Sequence, residues 1–368
     1  MDRRSFLAIC AAAAISPSAL GQPRAVARPR FGLVGLDLSA ALQYQSAGAT
    51  YRDALGPATP FRIAARSGLN LARLRAWHSP ADGWCGSDST ILAARHGRAN
   101  GLSILLDLHY SDTWADPGRQ SPPAAWQGLS LAALADRVYA YTHDLLRRLA
   151  RVGCAPEWVQ IGNEVTDGML WPIGRISASG WSPFAQLIQA GISACADAAP
   201  HPNLCKPMIH IDRGGDNGAC RWFFDNLLAR VSGVRGIALS YYPWWHGPLA
   251  GVSQNLGDLS ARYSLPLLIA ETAYPWTLNW SDNTHNLVGL PSQLLTGYPA
   301  SPDGQARFLE DLAAIVRDLP NGLGVCAWGG ELIPSPSIGS SCENLALFDF
   351  TGHALPALSR LAAAAVLR

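Results

Sequence analysis

The sequence predicts an α/β fold, a single-domain (β/α)8 barrel, on three observations. Short apolar runs rich in Val, Ile and Leu recur along the chain. Each is followed by a polar loop and then a stretch of helical spacing, and strict alternation of strand and helix implies a parallel sheet. There are about eight such units, the number that closes a barrel. A doubly wound open sheet is the alternative, but it places a glycine-rich phosphate turn after the first strand, where this chain has Asp37-Leu38-Ser39.

In chain order, the expected strands are Phe31 to Leu38, Leu71 to Trp77, Ser103 to His109, Trp158 to Asn163, Met208 to Asp212, Ile237 to Tyr242, Leu267 to Glu271 and Gly324 to Trp328. Each is short, apolar and bounded by turn-forming residues. Between them, helical periodicity is clear over Ser89 to Ala99, Leu131 to Arg151, Phe184 to Ala198 and Gln305 to Leu319. Residues 1–30 are set apart from this 31–368 domain. Arg3-Arg4 followed by the small-residue apolar stretch Ala8 to Ile15 has the layout of a twin-arginine export signal, and a Pro- and Arg-rich linker follows. The alternative, an amphipathic first helix, would need a polar face that this stretch lacks. The mature chain is therefore expected in the periplasm or outside the cell, without a membrane anchor, because the apolar stretch is too short to span a bilayer.

Composition narrows the function classes. Of 368 residues, 49% are hydrophobic and 15% charged, with a net charge of +1. This describes a globular protein and excludes a disordered or collagen-like one. It supplies no basic cluster for nucleic acid or anionic lipid. The 13 Trp suit stacking platforms for sugars or other flat ligands. The signal takes Cys10, leaving seven cysteines without Cys-x-x-Cys spacing, which does not resemble a zinc site. Export permits disulfides, and Cys195 and Cys205 are the nearest pair in sequence, but the pairing stays open.

A barrel builds its active site at the C-terminal ends of its strands. There the sequence places Arg75 and Trp77, Asp107 and His109, Asn163 and Glu164, Tyr241 and Tyr242, Glu271, and Trp328. The following loops carry Trp114, Trp126, Trp276 and Trp280, expected to wall a groove. Of six glutamates, only Glu164, Glu271 and Glu331 reach that end of the barrel. Two opposed carboxylates can cleave a glycosidic bond, one protonating the leaving oxygen while the other attacks the anomeric carbon. A separation of roughly 5–5.5 Å would give retention of configuration. In that scheme Glu164 is held protonated by its neighbour's charge, and Glu271 stays ionised with help from Arg75 or a tyrosine hydroxyl. A single strand-end Glu would more simply cap a helix or pair with an Arg. His109 alone reads as a satisfied inner histidine, and Asp107 as a buried partner for Arg75 or a loop amide. Glu331 is expected to bind substrate or to have no role in the site.

At these residues the chain resembles glycoside hydrolase family 53, the arabinogalactan endo-β-1,4-galactanases. The matching stretches are Leu74 to Gly83, Leu105 to Gly118, Val159 to Glu164 with Gly168 to Pro172, His210 to Asn217, Arg221 to Asp225, Leu239 to Gly247, Glu271 to Trp276, Gly297 to Ala300 and Ala346 to Phe350. The resemblance implies a retaining endo-acting enzyme cleaving the β-1,4-galactan side chains of pectin, with Glu164 as acid/base and Glu271 as nucleophile. It further implies that Asn163 holds the sugar 2-hydroxyl and that Tyr242 orients the nucleophile. Arg75, His109, Asp112, Trp114, Trp245 and Trp328 would line the subsites. The expected partner is the polysaccharide alone, met by a monomer, with no cofactor.

The chain departs from the family pattern at Gly329-Gly330, where Glu-Pro commonly follows the strand-eight Trp, and at Gln45, where a Glu is common. The first departure bears on subsite shape. The segment Ser281 to Asn286 lacks the calcium-ligand spacing of some bacterial members, so no metal is expected. Two other readings stand beside this one: a related retaining glycosidase acting on another plant polysaccharide, and a silent carbohydrate-binding protein. The second has no use for opposed carboxylates.

Overall fold

The computed structural model describes residues 32–364, so the expected export signal lies outside the described residues. Eight parallel strands close into a barrel in chain order: β1 Leu33–Asp37, β2 Leu71–Ala76, β3 Ser103–Leu108, β4 Trp158–Ile161, β5 Lys206–Ile211, β6 Gly236–Ser240, β7 Leu267–Thr272 and β8 Gly322–Ala327, with β8 pairing back onto β1. A helix follows each strand: α1 Pro60–Arg66, α2 Ser87–Ala99, α3 Leu131–Arg151, α4 Trp181–Ala198, α5 Asn217–Leu228, α6 Leu249–Tyr263, α7 Pro302–Arg317 and α8 Ala357–Ala364. Side-chain oxygens set several helix starts. Thr59 accepts from the Arg62 amide, Ser130 from Ala133, Asp216 from Ala219 and Ser301 from Gly304. Proline occupies the first turn of α1 and α7, where its missing N–H costs nothing.

The barrel interior is layered by the two-residue period of the strands. Its floor is apolar, made by Leu71, Leu105, Trp158, Met208, Ala238, Leu268 and Cys326. Two positions further along the same strands stand Arg73, Asp107, Gln160, His210 and Ser240, all buried. The floor thus excludes water from beneath a polar layer, and the larger apolar cluster between strands and helices encloses it from outside.

Two strands depart from simple extension where they meet the site. β4 stops at Ile161, earlier than the expected Asn163, because Gly162 (φ +83°) and Glu164 (φ +47°) both turn left-handed. β7 carries a bulge: Leu239 pairs with Ile269, but Ser240 pairs with Glu271 instead of Ala270. The extra residue resets the alternation, so that Glu271 enters the polar layer. All seven cysteines of the described chain are buried and free, including Cys195 and Cys205. No described helix is long and apolar enough to cross a membrane.

Candidate active site

Arg73, midway along β2, organises the polar layer. Its Nη1 lies 2.7 Å from Asp37 Oδ2, and its Nη2 lies 2.8 Å from Asp107 Oδ2, 2.9 Å from Asn163 Oδ1 and 2.7 Å from Glu271 Oε1, while Nε reaches Gln160 at 2.8 Å. A guanidinium presents five N–H donors in a rigid fork, and burying it is tolerable only with partners of this kind. This corrects the expectation for Arg75. Asp107 and Glu271 pair with Arg73, while Arg75 stacks over Trp114 with its guanidinium carbon 3.8 Å from the ring centroid and has its Nη2 3.2 Å from Cys85 Sγ. Leu71, Arg73 and Arg75 share one face of β2. Alternation was therefore the signal that both arginines point inward, and proximity to the strand end was the wrong criterion for choosing between them.

The turn after β4 presents Glu164 and is held by the Gln120 side chain, which donates to the Asn163 carbonyl, and by the Val165 amide, which donates to the His210 carbonyl. Glu164 Oε1 sits 2.5 Å from Ser240 Oγ. The Tyr242 hydroxyl donates to Glu271 Oε2 at 2.9 Å. Burial pushes the Glu164 carboxyl well above the usual range, and the neighbouring Glu271 charge adds to this. Burial also raises Glu271, but Arg73 opposes it there at contact distance. The two carboxyls thus differ in their cationic partner, and the upward push is the stronger on Glu164.

One ligand atom each from Glu164, His210 and Glu271 fall within 4.8 Å of one another, a spacing that could hold a metal ion. Both imidazole nitrogens of His210 are already committed, Nδ1 to Asn163 Oδ1 and Nε2 to Ser240 Oγ, so the trio offers no free nitrogen lone pair to a cation.

The other expected site residues occupy distinct places. Asn163 lies between Arg73 and the Ala115 carbonyl. His109 has Nε2 2.9 Å from Asp107 and its Nδ1 accepts from the Ala115 amide, so both ring nitrogens are used within the protein. Asp112 accepts from the Ser79 and Ala124 amides and fastens two loops to each other. A cavity of about 440 Å³ is lined by Asp37, Arg75, Trp77, Trp114, Trp328 and Glu331, and another of about 530 Å³ by Asp116, Glu164, Asp212, Tyr242 and Trp245. Trp245 is 60% exposed and packs edge-on against Tyr242. Of the four loop tryptophans expected to wall a groove, Trp126 is instead buried against His78 and Tyr141, and Trp276 packs on Phe350. Glu331 is buried, accepts from the Ala40 amide, and is pushed up to about 8 by burial and then by Asp37. Sequence reasoning gave no site role to Arg73, His210 or Ser240, although each lies within an expected strand, two residues before an expected strand-end residue.

A glycosyl hydrolase family 53 model matches residues 33–361. The chain belongs to this family. A Thermothelomyces thermophilus arabinogalactan endo-β-1,4-galactanase is 33% identical over 88% of this chain and 97% of its own length. Among solved structures, the Ignisphaera aggregans family 53 catalytic domain superposes with a TM-score of 0.86 at 36% identity, covering 91% of this chain and 97% of that one. A fungal β-1,4-galactanase superposes at 0.80 with 29% identity, covering 91% of this chain and all of the other. This family 53 hydrolase is therefore a glycosidase. Its buried carboxyl pair lies at the end of the barrel where such enzymes perform their chemistry.

Proposed function

We propose that the enzyme is an endo-β-1,4-galactanase that hydrolyses β-1,4-galactan with retention of configuration. The observation that carries the mechanism is the pair Glu164 and Glu271, with carboxylate oxygens within 4.8 Å of each other and only Glu271 contacting a cation. That gap leaves no room for a water between the two groups and favours direct attack. Glu271, ionised against Arg73 and aligned by Tyr242, attacks the anomeric carbon while Glu164 passes its proton to the departing glycosidic oxygen. A covalent galactosyl ester on Glu271 results. Glu164, now a carboxylate, then takes a proton from water, and the hydroxide equivalent attacks the same carbon and releases Glu271.

The choice of galactan rests on family membership and on the names of the relatives. Asn163, Arg75, His109, Asp112, Trp114, Tyr242, Trp245 and Trp328 are assigned to substrate binding. Of these, Trp114, Trp328 and Trp245 are the aromatic faces bordering the two cavities. Export by the twin-arginine segment would bring the enzyme, as a monomer, to a polymer found outside the cytoplasm. The test is reducing-sugar release from linear β-1,4-galactan, set beside β-1,3-galactan, xylan and mannan, with NMR of the first-formed anomer. Selective release of the β-anomer is expected. Release only from another polymer would overturn the substrate, and an α-anomer would overturn retention.

A further inference from the structure

The hydrogen-bond chain behind Glu164 runs Arg73, Asn163, His210, Ser240, Glu164, and its two fixed ends determine its direction. An arginine only donates, so the Asn163 atom facing Arg73 is the amide oxygen, and the Ala115 carbonyl confirms the orientation by accepting from Nδ2. That oxygen also faces His210 Nδ1 at 3.0 Å, so Nδ1 must carry a hydrogen. A second ring proton would make His210 a cation, fully buried and close to Arg73. Burial, then Arg73, holds its pKa well below the ordinary imidazole range. The ring is therefore neutral, Nε2 is a bare acceptor, and Ser240, 2.9 Å away, donates to it. Ser240 Oγ lies 2.5 Å from Glu164 Oε1, where it would donate to an ionised carboxylate and lower its pKa; with its one hydrogen held by Nε2 it has only lone pairs to offer.

We propose that His210 and Ser240 are positioning residues that hold the acid proton on Glu164 by presenting it with an acceptor in place of a donor. This rests on the acid/base role assigned to Glu164 above. When Glu164 gives up its proton, the single Ser240 hydrogen faces two acceptors, Glu164 Oε1 and His210 Nε2, and one of them loses its partner. Ionisation is thereby opposed until substrate arrives. The charged and titratable groups facing Glu164 from the other strands are Glu271 on β7, Asp212 after β5, Tyr242 after β6 and Arg73 on β2. None of them lies between Ser240 and His210 in this chain of hydrogen bonds.

Two measurements test the proposal. In enzyme labelled with ¹⁵N at its nine histidines, the His210 ring, identified by its absence in His210→Leu, is expected as the neutral Nδ1–H tautomer across the active pH range. An Nε2–H tautomer or an imidazolium there would overturn the proposal. In His210→Leu, Ser240 is free to donate to an ionised Glu164. The basic limb of the kcat/KM profile should then move about one pH unit lower, whereas an unchanged or higher limb would overturn it. Glu164→Gln separates the two levels. If that variant hydrolyses galactan like the wild type, the acid/base assignment itself fails, whatever tautomer His210 shows.

Discussion

At the scale of single residues, one cation faces several carboxylates. Arg73 contacts Asp37, Asp107 and Glu271, and removing it would leave uncompensated charge in a dry interior. Arg73→Met is expected to cost about 3–5 kcal/mol in thermal or denaturant unfolding. The milder Arg73→Lys keeps a charge but cannot serve three carboxylates with a rigid fork. In the proposed mechanism Glu271 acts ionised, and Arg73 holds its pKa down, so weakening that contact raises it. The acidic limb of the kcat/KM profile should therefore move to higher pH in Arg73→Lys. Glu164 behaves in the opposite sense. Its folded pKa lies above its unfolded one, so the folded state binds the extra proton and loses stability as pH rises from the ordinary carboxylate range through the raised folded pKa. Glu164→Gln removes that penalty. It should melt higher than wild type at pH 7, by roughly 2 °C or more, with the difference shrinking towards pH 4.

At the scale of elements, the strand ends do what regular extension cannot. A Cβ on Gly162 would sit 2.5 Å from Val165 Cγ1, at a φ of +83° that disfavours side chains. Gly162→Ala is expected to destabilise by about 1–3 kcal/mol and to lower kcat/KM by displacing Glu164, which calorimetry and galactan kinetics would separate. All eight strands and the long α3 were legible because apolar runs and helical periodicity report burial directly. The turn at Gly162 and the bulge before Glu271 were not, since both depend on where neighbouring strands sit. For the same reason the sequence pointed to Glu164, Glu271 and Tyr242 but passed over Arg73. Which of two inward arginines meets Glu271 is decided by strand register, and a pattern of residue types along one chain does not contain that.

At the scale of the whole molecule, the barrel separates support from contact. The apolar floor and polar layer fix the reacting groups, while exposed aromatics on the loops border the two cavities. Trp245→Ala should therefore raise KM for galactan several-fold while leaving the melting temperature nearly unchanged, because the ring is mostly in solvent. The Gly329-Gly330 loop, with Glu331 folded inward behind it, borders the first cavity beside Trp328, and product length is expected to depend on it. The seven buried, unpaired thiols have a further consequence. A chain that owes none of its described cross-strand order to oxidation can finish folding in a reducing environment, with a melting curve indifferent to added reductant.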